Sequence, residues 1–287
     1  MPRSSSLHHF AALAIAGLGL ATLSACSSSG ASASSVTTGQ SGSSSSGASL
    51  KVSLFNNFPP DAYVDNGQII GWVPDMLTQI EKQSGLNFQI TGVNQFDGLI
   101  PGLQSGRYDM SPSLFYITAQ RLQAVDLLTL SQVGTSFGAN PSSPVSVTSG
   151  ISICGHKIAT LSGSVFPNQI ATINKSCTAA GKSAATVQVY PDDSSAVLSV
   201  TDGRNDLYAG TTDQIGYLAQ QNKLTSEPYV YDQQLEAIAF PKGSQYETKV
   251  QAAINSLIKS GEYGSVLEKW HVSSMAITQS VLNPSAG

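Results

Sequence analysis

Arg121 is the side chain whose setting first suggests chemistry. It ends the stretch Phe96 to Arg121, FDGLIPGLQSGRYDMSPSLFYITAQR. Leu99, Ile100 and Leu103 share one face of a helix that Gly106 closes. Tyr108 to Ser111 reads as a short buried strand, and Ser113 to Tyr116 as the loop at its carboxyl end. Thr118 to Arg121 begin the next helix. Ligands of open α/β sheets sit beyond the carboxyl ends of the strands. A guanidinium placed there can grip a carboxylate through two parallel charge-assisted hydrogen bonds. A surface ion pair is the plainer use for such an arginine.

Catalytic machinery is harder to find. An enzyme needs a placed base, nucleophile or metal. Beyond the amino-terminal segment the histidines are His156 and His271, far apart in sequence. Asp192 and Asp193 are paired carboxylates, but neighbours in sequence point apart, and capping of the following helix explains them. The chain has no Walker loop, dinucleotide fingerprint or HExxH. The reading is a protein that is not an enzyme, with no cofactor and no metal.

Charge limits the partners. Of 287 residues, Lys and Arg supply 14 and Asp and Glu 18, a formal net charge of -4. That mild acidity without a basic cluster argues against nucleic acid. The first 25 residues read as a secretory signal, with Arg3 before the apolar run Phe10 to Leu20. Leu23-Ser24-Ala25-Cys26 looks like a bacterial lipobox, which implies cleavage before Cys26 and a lipid on its thiol. An ordinary signal peptide or a membrane anchor is the alternative, although the segment is short for a span. Ser27 to Ser49 is almost wholly Ser, Gly, Ala and Thr without charge, the composition of a flexible tether. With Cys26 lipidated, Cys154 and Cys177 form an even pair in an oxidising setting. As a disulfide they close a loop of about 23 residues, worth on the order of 3 kcal/mol. Metal binding is the rival use, but two cysteines make an incomplete site.

The elements that must position Arg121 alternate strand and helix. Leu50 to Phe55 is a first strand, which Pro59-Pro60 breaks. Asn66-Gly67 turns a hairpin of Ala62 to Val64 against Gln68 to Ile70. A helix from Pro74 carries Val73, Leu77 and Ile80 and ends at Gly85. Asn87 to Thr91 is the second strand. Thr135 to Asn140 reads as a strand crossing into a second set of units, with strands at Ile158 to Leu161, Thr186 to Tyr190 and Leu207 to Gly210. Their helices are Phe166 to Asn174, Ser194 to Thr201 and Thr212 to Gln220. Leu235 to Phe240 crosses back. A long amphipathic helix follows with Val250, Ile254, Leu257 and Ile258 on its buried face, and a terminal helix covers Tyr263 to Trp270.

FDGLIPxLxSGxYD, a serine-containing loop and ITxxR resemble the type II periplasmic binding proteins, in the amino-acid branch (bacterial extracellular solute-binding family 3). Lys242-Gly243-Ser244, then Leu257-Ile258, Gly261, Tyr263, Leu267 and Lys269-Trp270, resemble that family's carboxyl end. The likeness runs from about Leu50 to Val272. It implies a two-lobed α/β fold with two crossing strands as hinge. Lobe one would hold 50–138 and 241–275, lobe two 139–240, after a signal at 1–25 and a tether at 26–49, with a tail at 276–287.

The resemblance also implies the site. Arg121 would bind a ligand's α-carboxylate, with Ser164 as its second contact at a helix N-terminus. Phe58 and Phe96 would be aromatic walls. Ser113 and Tyr116 lie in the ligand-contacting turn, Tyr116 where a small hydroxyl residue is usual. Thr118 caps the helix of Arg121 or donates its own N–H to the carboxylate. Phe55 and Thr211 stand where the family places acids for the ligand's ammonium. Asp213, two residues on, would swing in, or the ligand's positive charge is carried differently, for example against aromatic rings. The implied role is a monomeric, lipid-anchored receptor outside the cytoplasm. It would deliver an amino acid or related carboxylate to the permease of an ABC importer. A sensing module for a separate signalling protein and a dehydratase on the same fold are the alternatives.

Overall fold

A computed structural model describes residues 49–286. The expected signal segment, Cys26 and nearly all of the tether lie outside the described residues.

The chain opens with β1 (Ser49–Phe55), β2 (Asn57–Phe58), β3 (Ala62–Asp65), β4 (Gln68–Ile70), α1 (Trp72–Ser84) and β5 (Asn87–Val93). α2 (Leu99–Gln104), β6 (Ser111–Tyr116) and α3 (Ala119–Ala124) follow. β1 runs parallel to β5, and Asn66 and Gly67 both take positive φ between β3 and β4, as a two-residue hairpin turn requires. β7 (Asp126–Ala139) leads to β8 (Lys157–Leu161), α4 (Phe166–Ala179), β9 (Thr186–Tyr190), α5 (Asp193–Thr201), β10 (Leu207–Thr211) and α6 (Thr212–Gln220). The last elements are β11 (Thr225–Ser226), β12 (Tyr231–Phe240), α7 (Glu247–Ser260) and α8 (Glu262–Lys269).

The fold is α/β and two-lobed, and β7 and β12 are its crossing strands. They pair antiparallel. β12 also pairs β6, and β7 also pairs β10, so the sheet runs β6-β12-β7-β10-β8-β9. α7 and α8 return to pack on α1.

Three elements differ from the sequence reading. The first crossing strand begins at Asp126 and not at Thr135. Thirteen of its fourteen residues are buried, so it shows none of the alternation that marks a half-exposed strand. The strand expected at Tyr108 to Ser111 is only a bridge from Met110 to Val52, and Ser113 to Tyr116 are not a loop but the body of β6. Pro112 has no N–H for a ladder and reads as a stop. The structure absorbs it in a bulge. Ser111 pairs Ala239 and Phe115 pairs Ala237, so Pro112, Ser113 and Leu114 face Ile238 alone, and Leu114 takes φ 55. The bulge thus keeps Ser113 off the regular ladder. Finally, α4 runs past Asn174 to Ala179, carrying fully buried Cys177 to its disulfide with Cys154. The tail beyond Ala276 lies along β7, where the Ser280 hydroxyl donates to the Thr129 carbonyl at 2.6 Å.

Where the first strand ends, the chain is folded tightly against α1. The amides of Trp72 and Val73 donate to the carbonyls of Pro60 and Asp61, each at 3.1 Å. Gly71 permits this with φ 141, and a Cβ there would collide with the Asp61 backbone carbonyl. Gly71→Ala should therefore destabilise the protein by roughly 3 kcal/mol or more, read as a lower urea midpoint at unchanged slope.

Candidate ligand site

Arg121 is carried into the interior by a short, well-capped helix. The Thr118 hydroxyl accepts the Arg121 N–H at 3.2 Å and so caps α3. The arginine is only 9% exposed. Its Nη1 donates to the Tyr116 carbonyl and its Nη2 to the Gly163 carbonyl, both at 2.9 Å. The guanidinium carbon lies 5.7 Å from the Phe96 ring centre and 5.4 Å from that of Phe115. Burial pulls its pKa down to about 10, so it stays charged at neutral pH. Among the described residues no carboxylate pairs with it.

A cavity opens from this arginine. Phe55, Phe58, Phe96, Ser113, Tyr116, Arg121, Ser164 and Thr211 all line it. The phenylalanines form a continuous wall: Phe55 lies 6.0 Å from Phe58 and 5.6 Å from Phe96, edge-on in the second case. The Ser113 hydroxyl accepts the Phe55 N–H at 2.9 Å, fixing the bulge to the end of β1. Tyr116 is buried, its phenol 3.4 Å from the Thr135 hydroxyl. Thr118 stays beneath Arg121 as a cap and does not line this cavity.

The far side of the cleft comes very close. The Ser162 hydroxyl donates to Asp97 at 2.9 Å, and the Ser194 hydroxyl to Asn57 at 2.7 Å. Gly163, at φ 75, lies against Asp97, where a Cβ would fall 2.7 Å from its Cα. One expectation changes here. The Ser164 amide and hydroxyl both donate to the Leu161 carbonyl. Ser164 therefore offers no free N–H, and the turn shows Arg121 a carbonyl instead.

The sequence reading missed two acids, Asp61 and Glu236. Both line the cavity, at 6% and 2% exposure. Asp61 accepts the indole N–H of Trp72 at 2.6 Å, and Glu236 accepts the Ser131 hydroxyl at 2.8 Å. Asp213 stands beside them, its oxygens buried and, like the Thr211 hydroxyl, without a hydrogen-bond partner among the described residues. Burial, then the mutual repulsion of the three carboxylates, pushes Asp61 and Glu236 well above the usual carboxylate range. Burial raises Asp213 as well. None of the ion pairs among the described residues includes any of the three. Glu236 had a signal in Leu235-Glu236-Ala237-Ile238-Ala239-Phe240, where one charge interrupts an apolar strand. Asp61 had less, being one more polar residue after two prolines.

The protein thus holds a buried cation without an anion and buried acids without a cation, around one cavity. A molecule carrying both charges would complete each.

A model of the bacterial extracellular solute-binding proteins, family 3, matches residues 50–273. A protein of Campylobacter jejuni named as a probable histidine-binding protein is 27% identical over 62% of this chain and 66% of its own. The arginine-binding protein ArgT of Corynebacterium glutamicum is 24% identical over 79% of this chain and 75% of its own. Among solved structures, an ancestral arginine-binding protein bound to arginine superposes with a TM-score of 0.69 at 24% identity. That match covers 77% of this chain and 97% of the other.

Asp213 is held in place from behind. The next residue, Gln214, donates its side-chain amide to Asp193 at 2.7 Å, and the Tyr208 phenol donates to the same carboxylate. Burial pushes Asp193 up to about 6 despite these bonds. A folded pKa above the unfolded one gives stability that is complete below about pH 4 and lost as pH rises through 6. Between pH 4 and 7.5 the wild type should therefore lose on the order of 3 kcal/mol relative to Asp193→Asn. Urea unfolding of both proteins at the two pH values measures this, and parallel pH profiles would refute it.

Proposed function

The chain belongs to the bacterial extracellular solute-binding proteins, family 3, and on that premise we propose that it is the solute receptor of an ABC importer. Its ligand is an amino acid or a close relative, bound in the cavity of Arg121. The observation that carries this reading is the unmatched charge: a guanidinium satisfied only by carbonyl oxygens, and acids with no cation. A zwitterion supplies the carboxylate that Arg121 lacks and the positive group that the acids lack. The relatives' names point to the same class of ligand.

In this reading Arg121 takes the carboxylate in a two-pronged contact. Phe55, Phe58 and Phe96 exclude water around it, and Ser113, Tyr116 and Ser164 shape the pocket between them. Thr211 and Asp213 come from the second lobe, whose closure over the ligand buries it. The lobes divide as 50–138 with 241–275, and 139–240, so that β7 and β12 form the hinge. The close approach of Gly163 to Asp97 fits a closed form, the one that would dock on a permease. Cys26 carries the lipid that tethers a monomer to the outer face of the membrane through the Ser/Gly-rich segment 26–49.

A second reading has an observation behind it. Buried carboxyls held above the usual range, lining a cavity, could also protonate a leaving hydroxyl, as a dehydratase requires. Recovery of the bound ligand unchanged after long incubation separates the two.

The direct test is a thermal-shift screen of the protein from Leu50 onward against amino acids, betaines, polyamines and small organic acids. A ligand at a hundredfold its Kd adds about 2.7 kcal/mol of stability. Calorimetric titration of the best zwitterion should then show that Arg121→Ala weakens binding by about 2–4 kcal/mol. Unchanged binding by that variant would remove the carboxylate clamp, and no shift with any zwitterion would remove the receptor reading.

A further inference from the structure

Asp61, Asp213 and Glu236 come from three separate segments: the loop before β3, the first turn of α6 and the crossing strand β12. Their convergence is tertiary: Asp61 and Glu236 line one cavity, and Asp213 stands against Asp61 behind it. Two ionised carboxylates can only accept hydrogen bonds, so Asp61 and Asp213 satisfy each other only when one carries a proton. Asp61 has one oxygen on the Trp72 indole, which leaves its other oxygen to hold that proton toward Asp213, whose own oxygens are otherwise unpartnered. The Thr211 hydroxyl, beside Asp213, is a second sign of a missing guest. Thr211 is 3% exposed, lines the same cavity and has no hydrogen-bond partner among the described residues.

The surroundings offer no counter-charge. Tyr116 from β6, Tyr208 from β10 and Tyr263 from α8 are the other titratable groups facing these acids, with Asp232 of β12 facing Tyr116. Burial raises all three phenols, so they remain neutral. Arg121 lines the same cavity, but it forms no ion pair with any of these acids, and its guanidinium is held by the Tyr116 and Gly163 carbonyls and the rings of Phe96 and Phe115.

We propose that Asp61, Asp213 and Glu236 form one cation seat that holds protons when empty and releases them to the solvent when a ligand's positive group enters, so that capture is coupled to pH. The proposal rests on the receptor reading above and adds the proton to it. The proton balance is simple: a neutral carboxyl loses its proton to buffer, and the carboxylate left behind pairs with the ligand's ammonium or guanidinium. The ligand itself is unchanged. Protons and cation compete for one seat, so affinity rises with pH while the seat is still protonated, by up to about tenfold per pH unit for each proton released.

Two measurements test this. In ligand-free protein, the side-chain carboxyl carbons of Asp61 and Glu236, followed by ¹³C NMR from pH 4 to 8, should still report a protonated acid at neutral pH. Titration at the ordinary carboxylate position would overturn the proposal. Second, calorimetric titrations with L-arginine, L-lysine, L-histidine and glycine betaine are run at pH 6.5 in phosphate and in imidazole, buffers of different ionisation enthalpy. The ligand that binds should release a measurable fraction of a proton, and Glu236→Gln should reduce both that release and the affinity, the latter at least tenfold. Binding with equal heats in both buffers would overturn the coupling and leave the receptor reading intact. Binding of none of the four would count against both.

Discussion

Ionisable groups held away from water are the constraint to which the rest of this protein answers. Arg121 sits in the interior without a carboxylate, and Asp61, Asp213 and Glu236 sit there without a cation. Removing such charges from water costs several kcal/mol each unless hydrogen bonds and opposite charges offset it. The fold offsets it only in part, and with neutral groups. Carbonyls and phenylalanine rings hold the guanidinium; an indole and a serine hydroxyl hold the acids. Neutral partners keep each charge oriented without satisfying it, which leaves free energy for an incoming dipolar molecule to release. A conventional internal salt bridge would have stabilised the empty protein and removed its reason to bind.

The crossing strands tie that chemistry to the architecture. Glu236 lies on β12 and its partner Ser131 on β7, so one acid is fixed within the pair of strands common to both lobes. Tyr116, at the end of β6, gives Arg121 its carbonyl and reaches β7 through Thr135. Gly163 supplies the other carbonyl from the second lobe. The arginine's support is therefore split between β6 and the turn after β8, and the acids are likewise drawn from separate segments. Arg121 is thus joined to Gly163, and Asp61 faces Asp213, from segments far apart in the chain.

Much of this was legible residue by residue. Gly85 and Gly261 end helices in left-handed conformations, Asp192 caps α5 through its carboxylate, and Thr118 caps α3, all of them local geometries with local chemical causes. Eight of the ten residues expected at the site line one cavity. The misreadings share another cause. β7 is buried on both faces and so lacks a two-residue rhythm, and the bulge at Pro112 to Leu114 exists only because β12 fixes a register on either side of it.

By itself, the sequence determined most of the strands and helices, the turn and cap chemistry, the arginine at the start of its helix, and the pairing partners Cys154 and Cys177. Those depend on spacing along the chain and on the preferences of single side chains. Only the tertiary structure decided that Asp61, Asp213 and Glu236 meet, beside the cavity that Phe55 and Thr211 line. The raised pKa of a carboxyl belongs to its neighbours and to the loss of water around it. For these three the neighbouring carboxylates are supplied by the folding of distant segments against one another.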